Sequence, residues 1–368
     1  MLESAAKCST SCLLGSGNPQ VFPRLPAGIV GRFHLDGRID FEERPRKSWD
    51  FMATGTGTTG VTVNAVSSIQ MRINHAAAYD EQGIQRALGV LSLRGWRLQS
   101  KLNNHQESIS GQNIPEGITQ PPGIEWHSTE DPFLVVDDLR MTHDLRRSCI
   151  QITAGSSSGA VTLTIRAHVD LDVICIEVID ERASQRSLPE SFALDLDCAC
   201  EKTVTEDGVH LFWHVNPSSI YPSAIQASGF IMNESTDPLR GRCFGLAIYS
   251  DGGRDGGDSD NSVYRLWVVA DSDRDGFGAW HERVIERIRK AVSLHRDQFI
   301  NSHEQWWSDF WLRSYFEPQP GADDKRFIKQ KASFDLYRYY VACCSSYRRE
   351  FPVRFMNEIG RASCRERV

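Results

Sequence analysis

The sequence predicts a mainly β fold: a large antiparallel β-sandwich that gives way to helices in its last third. Three observations predict it. Val161, Leu163, Ile165, Ala167 and Val169 alternate with polar residues, as a sheet buried on one face requires. Turn chemistry recurs at Gly155 to Gly159, Glu206-Asp207-Gly208 and Asp251-Gly252-Gly253, so successive strands connect tightly and pair antiparallel, without crossover helices. Beyond Tyr264 to Ala270 the period lengthens. Trp280, Val284, Ile288, Val292 (or Ala291), His295 and Phe299 then form one stripe of an amphipathic helix.

Taken in order, residues 1–130 carry the weakest signals, with Gly- and Pro-rich segments alternating with short apolar runs such as Val61 to Val66 and Leu88 to Leu98, together expected as edge strands and loops. Ser108 to Gly123 is a loop, because its prolines and glycines break ladder and helix alike. Residues 131–270 are the sandwich core; Val173 to Ile179, apolar on both faces except at Glu177, reads as a central strand. Ser250 to Ser262, rich in glycine and acid, is a solvated excursion. Residues 271–316 are expected as one linker helix ending in HEQWWSDFWLRSYF, His303 to Phe316. There Trp307, Phe310, Trp311 and Ser314 share a face, an aromatic stripe better suited to packing between layers than to chemistry. Pro318 and Pro320 stop it. A second helix follows from an acidic cap at Asp323-Asp324, carrying Phe327, Phe334, Tyr337 and Val341 and ending before Pro352. The two helices, joined by a short Pro/Gly link, begin an αα-hairpin arrangement, and residues 317–357 are the start of a helical layer. Residues 358–368, EIGRASCRERV, look like a translated sequencing adapter, so native sequence is expected to end near Asn357.

Composition narrows the partners. The 368 residues carry a net charge of -7 and 40% hydrophobic residues, which suits a globular protein with a large core and gives no electrostatic footprint for nucleic acid or an anionic membrane. No run approaches the ~18 apolar residues of a membrane span. MLESAAKCSTSCLLGSGN at the start lacks the pattern of an export signal. The compartment is left open, and the sequon Asn233-Glu234-Ser235 matters only if the protein is secreted. The ten cysteines form no zinc-type spacing and are expected as buried thiols.

Two constellations could carry chemistry. Asp271-Ser272-Asp273-Arg274-Asp275-Gly276 followed by Glu282 fits the spacing of a calcium loop. Alternating carboxylates and a later glutamate can wrap a hard cation, so Asp271, Asp273, Asp275 and Glu282 are the candidate calcium ligands; no other cofactor is called for. The same residues also fit an acidic turn ahead of a helix, favourable to its dipole. In LFWHVNPSSIY, Leu211 to Tyr221, His214 and Asn216 share one face of a strand end, opposite Trp213. Polar groups beside aromatics could line a sugar site, which makes His214 and Asn216 the candidate carbohydrate contacts; a lone histidine in such a place is more often hydrogen-bonded structure.

Phe212-Trp213-His214-Val215-Asn216-Pro217-Ser218, Asp237-Pro238-Leu239-Arg240-Gly241-Arg242-Cys243-Phe244-Gly245, the Trp307 to Ser314 helix and Tyr337 to Phe355 together resemble a family. It is the domain of unknown function that forms the N-terminal β-sandwich of six-hairpin glycosidase-like proteins, similar in architecture to the α-L-fucosidase family. The resemblance covers roughly residues 133–357. It implies a β-supersandwich, a linker helix and the first helices of a truncated (α/α)6 barrel. It further implies carbohydrate hydrolysis by a longer parent whose acid and base carboxylates lie in the missing barrel, and no catalysis by this chain. A non-catalytic glycan-binding or scaffold module is the alternative. Without the barrel, Trp306, Trp307, Trp311 and the helix from Phe334 to Val341 are expected to expose an apolar patch.

Overall fold

The computed structural model describes residues 31–34, 36–41, 52–64, 69–92, 98–99, 125–126, 139–156, 159–181, 193–195, 200, 202–230, 237–253, 262–313 and 325–344. Its larger sheet has ten antiparallel strands. They run in the order β1 (Gly31–Phe33), β2 (Arg38–Phe41), β9 (Leu139–Asp144), β10 (Cys149–Ser156), β11 (Gly159–His168), β12 (Val173–Asp180), β17 (Ser262–Asp273), β16 (Cys243–Gly253), β15 (Val209–Val215) and β14 (Lys202–Glu206). The smaller has five, in the order β13 (Ala193–Asp195), β6 (Gln85–Ser92), β5 (Gln70–Tyr79), β4 (Thr59–Asn64) and β3 (Met52–Gly55). A separate pair joins β7 (Leu98–Gln99) to β8 (Glu125–Trp126).

Alternation builds two cores from one sheet. On β12, Ile174, Ile176 and Val178 face the five-stranded sheet, where they meet Val61, Val63, Met71 and Ile73. Val173 and Cys175 face the other way, as do Trp267 and Val269 of β17, and these join a second core with the helices. The middle of the large sheet is therefore covered on both sides, which is why Val173 to Ile179 reads as nearly continuous apolar sequence. The five-stranded sheet comes largely from residues 52–92. Val61 and Leu88, expected on edge strands, lie instead on β4 and β6, which are interior, and both are fully buried. Their brevity and flanking glycines hid them.

The expected single linker helix is two. α2 (Phe277–Ser293) and α3 (Arg296–Leu312) follow α1 (Tyr221–Ala227), a short surface helix with no buried residue. Between α2 and α3, Leu294 is extended and His295 forms a reciprocal capping box with Gln298. The bend is held from below by Glu177, a buried exception in the apolar β12 strand. Arg296 donates to both of its carboxylate oxygens at 2.7 Å, and Arg265 adds a third bond at 3.1 Å. Burial opposes the Glu177 charge, but these guanidiniums outweigh it and hold its pKa below the usual range. An unbroken helix would carry Arg296 away from that carboxylate.

α4 (Lys325–Cys344) closes the described chain. Trp307 and Trp311, expected to be exposed, are 0% and 5% exposed, because α4 and the β9–β10 turn cover them. Tyr339 packs on Trp307 with ring centroids 5.2 Å apart, and Trp311 donates its indole N–H to the Leu145 carbonyl at 3.1 Å. Phe334, Tyr337 and Val341, expected as the stripe of this helix, point outward; its buried side is Ala332, Leu336, Tyr339 and Cys343. The end of α4 comes close to the β3–β4 hairpin, where a Cβ on Gly55 would lie 2.7 Å from the Cys343 carbonyl oxygen. The buried thiols expected from the sequence appear at Cys175, Cys200, Cys243 and Cys343, all free. Phe327, the Ser108 to Gly123 loop, Pro318, Pro320, the Asn233 sequon and residues 358–368 lie outside the residues whose side chains are described.

Three neutral histidines sit under the α3 and α4 helices. His303 of α3 donates to the Arg147 carbonyl at 2.8 Å, and its ring lies 5.8 Å from that of His168 on β11. His143 of β9 meets Tyr339 of α4 edge-on at 5.0 Å. Burial is the leading cause that pushes their pKa values down, to about 3 for His143 and His303 and about 4 for His168. Because the folded values lie below the unfolded one, their contribution is complete above about pH 6.5 and is lost as pH falls toward about 4 for His168 and about 3 for His143 and His303. Unfolding free energy from urea titrations should therefore fall below pH 6.5, by about 1.4 kcal/mol per pH unit for each histidine at the steepest. His143→Phe should flatten the profile; an unchanged slope would exclude the histidines as its cause.

Candidate functional site

The two constellations singled out in the sequence meet at one end of the sandwich. The end of β15, the loop before β16 and the end of β17 converge there, joined by Arg242. Its carbonyl accepts from the Asn216 backbone N–H at 2.9 Å, and its Nη1 donates to Ser272 Oγ at 3.1 Å and to the Ala77 carbonyl of the opposite sheet at 3.1 Å. Burial lowers the Arg242 pKa, and nearby Arg274 adds to the effect.

Asn216 is 2% exposed, and its amide donates to the Tyr79 and Leu239 carbonyls, both at 3.0 Å. It thus ties the loop to β5, and neither amide hydrogen is left for a ligand. His214 lies beside Phe244 with centroids 5.2 Å apart, and its Nε2 is 3.4 Å from a Glu81 carboxylate oxygen. Trp213, on the opposite face, packs on Phe277 and Trp280 of α2.

The acidic turn divides in two. Asp271 and Asp273, spaced by two on β17, both face α2 and are buried. Arg283 Nε donates to Asp271 at 2.8 Å, Arg283 also pairs with Asp273, and Arg287 approaches Asp271 at 3.7 Å. Burial would lower the Arg283 pKa, but the Asp271 and Asp273 carboxylates outweigh it and raise it. Asp275 and Glu282 are exposed. The Asp275 backbone N–H donates to Asp273 Oδ1 at 2.7 Å, an ordinary acidic turn before a helix. Among the described residues, no group of three or more His, Cys, Asp or Glu side chains is arranged to hold a metal ion. A cation at Asp271 and Asp273 would have to displace the guanidiniums.

Sequence reasoning missed the other half of this cluster. Asp172, in the left-handed conformation at φ 54°, takes Arg287 Nη1 at 3.0 Å on one oxygen. Its other oxygen accepts from the Thr56 and Thr58 hydroxyls of the β3–β4 hairpin, the latter at 2.7 Å. His75 of β5 lies 3.7 Å from Asp271. The available signal was Arg283 and Arg287, four apart on α2 and so on one face, just after the acidic turn. Nothing in local sequence marks Asp172 or the threonines as their partners. The arrangement neutralises charge and joins layers. Its nearby thiol, Cys243, is pushed up to about 12 by burial and is no nucleophile at neutral pH.

No family model and no curated protein matches the chain. Among solved structures, it is similar to a provisionally named kojibiose phosphorylase from human microbiome, with a TM-score of 0.47 at 8% identity. That likeness covers 86% of this chain and 40% of the other. The chain therefore spans less than half the length of that protein.

Two measurements probe the site. Arg287→Met leaves the Asp172 charge with only the Thr56 and Thr58 hydroxyls and should lower unfolding free energy by about 3 kcal/mol in urea. Arg289→Met, which breaks only the exposed pair with Asp207, should change it by less than about 0.5 kcal/mol. Thermal melts in calcium and in chelator are expected to coincide, since arginines hold the inner carboxylates. A calcium-dependent rise of several degrees would instead assign Asp271, Asp273, Asp275 and Glu282 to a cation.

Proposed function

We propose that this chain is the supersandwich and linker-helix portion of a carbohydrate-active protein, and that a helical domain packed on the outer face of α4 carries the catalytic groups. The observation that carries this reading is the two-sidedness of α4. One side is fixed to the sandwich by Tyr339, whose hydroxyl lies 3.0 Å from Ser148 Oγ, and by the Cys343 carbonyl, which accepts from the Gly57 N–H at 3.0 Å. The other presents Phe334, Tyr337 and Val341, spaced by three and four residues and 40%, 69% and 43% exposed. A helix anchored on one side and apolar on the other is half of a helix–helix contact.

The carbohydrate assignment rests on the resemblance carried by the four sequence segments. Their placement supports it: Phe212 to Ser218 and Asp237 to Gly245 meet at the loop end, while α3 and α4 pack through Trp307 and Tyr339. Glycoside hydrolysis needs a pair of carboxylates about 5 to 9.5 Å apart, open to the bond they cleave. Asp172, Asp271 and Asp273 are bound by arginines and largely buried. On this reading the chain alone turns over no glycoside.

The test reads the transcript of the parent locus past codon 357 and assays the purified chain on disaccharides and aryl glycosides. The proposal expects a frame continuing into amphipathic helices with paired carboxylates, and no turnover by the present chain. A natural stop codon there, or hydrolysis by the chain itself, overturns it. The outward face gives a physical prediction as well. The purified chain should self-associate in light scattering, and Tyr337→Ser with Val341→Ser should reduce that without lowering the melting temperature by more than a few degrees. A monodisperse chain before substitution would sink the idea of an open face.

A further inference from the structure

We propose that the cleft between the β9–β10 turn and the exposed face of α3 binds an extended, polyhydroxylated ligand, a linear oligosaccharide, away from the loop end described above. The cleft has a volume of about 760 Å³, and its walls are Arg146 and Arg147 on one side and Asn301, Glu304, Gln305 and Ser308 on the other. Its volume falls in the range of small-molecule sites.

Rigidity is the first argument. The arginine turn is held from both ends by side chains of the helix it faces. Trp311 donates to the Leu145 carbonyl and His303 to the Arg147 carbonyl, while Ser148 takes up the left-handed backbone, at φ 48°, that the turn needs. Arg146 is set in place over the Trp311 ring at 4.6 Å and lies 3.7 Å from Asp335. Turn and helix therefore form one preformed surface, and little ordering cost falls on binding.

Chemistry is the second. Vicinal hydroxyls are matched by planar groups with two adjacent donors or acceptors, and the cleft offers guanidinium, carboxamide and carboxylate groups together. Arg147 is 65% exposed and approaches Glu304 only at 3.8 Å, so both keep hydrogen-bonding capacity for a ligand. Asn301, Gln305, Ser308 and the exposed Leu312 fall on one ridge of α3. That ridge runs about 16 Å along the helix axis, enough for several sugar rings in line. Leu312, 74% exposed, adds an apolar contact for the less polar face of a ring.

The ligand class rests on the carbohydrate reading above, whereas the cleft itself does not. Native gels containing soluble starch, xylan, galactomannan or polygalacturonate test it with the intact chain. At least one polymer should retard migration. Arg147→Ala with Gln305→Ala should weaken that retardation about tenfold, corresponding to about 1.4 kcal/mol, with an unchanged melt, because both side chains are exposed. Arg289→Ala, exposed and remote from the cleft, should leave it as it was. Retardation by none of the four polymers, or retardation unchanged in the double variant, overturns the proposal. Binding together with a natural stop at the parent locus would keep the cleft and remove the missing-domain reading; a continuing frame without binding would do the reverse.

Discussion

Two carboxylates, the half-buried Asp172 and the fully buried Asp271, require neutralisation, and the way they obtain it sets how the layers stack. Each lies at the end of a structural element: Asp172 in the β11–β12 turn, Asp271 near the end of β17. A lone carboxylate there would be strongly destabilising. Arg287 reaches both, and Arg283 reaches Asp271 from one turn earlier on α2. Because Asp172 also accepts from Thr56 and Thr58, the same charge compensation joins helix layer, large sheet and small sheet at one point. The left-handed backbone of Asp172 costs about 1 kcal/mol or more, and it is retained where three layers depend on the direction of one side chain.

A parallel arrangement holds the next helix. Ser148 is also left-handed, and its hydroxyl lies between Thr54 of the β3–β4 hairpin, at 2.8 Å, and Tyr339 of α4. The hairpin is thus gripped at Thr54 by one strained turn and at Thr56 and Thr58 by the other. α4 adds the bond from Gly57 to the Cys343 carbonyl, and Gly55 admits the close approach. A segment that reads as featureless glycine and threonine, TGTGTT, is the point where the two sheets and α4 are tied together.

The legible part of the fold is the part with local causes. Alternation in β11 and β12 and the turn at Glu206-Asp207-Gly208 are properties of neighbouring residues, and they identify the large sheet. The period of Trp280, Val284 and Ile288 identifies α2. What could not be read depends on distant partners. The break at Leu294 follows from Arg296 meeting Glu177, 119 positions away in sequence. The apolar set Phe334, Tyr337 and Val341 is exposed, as the sequence predicts, but the side of α4 that is buried carried no comparable signal. Tyr339 and Cys343 win the inner side through Ser148 and Gly57, bonds that periodicity does not register. At the loop end, sequence marked His214 and Asn216 as sites because they are polar residues beside aromatics, and Asp271 and Asp273 because their spacing fits a calcium loop. The structure gives Asn216 and both aspartates partners in the protein, since buried polar groups are retained only when paired. Arg242, which draws the two sets together, had no local signal beyond its place in the resembling segment.

The two helical contributions stand in opposite relations to the sandwich. Trp267, Val269, Cys175 and Leu211 lie on the outer face of the large sheet and are covered by α2 and the start of α3. Without those helices a broad apolar surface would meet water, at a cost of about 25 cal/mol for each Å² exposed. The sandwich therefore needs α2 and α3, and the term linker understates them: they are its third layer. α4 is different. It covers Trp307 and Trp311 on its inner side, while Phe334, with the Arg338 guanidinium over its ring, Tyr337 and Val341 face outward and are exposed. The structural requirement runs inward from α2 and α3 and outward from α4. That reversal makes α4, rather than the Pro318 and Pro320 punctuation that the sequence displays, the element whose outer side the proposed helical domain would cover.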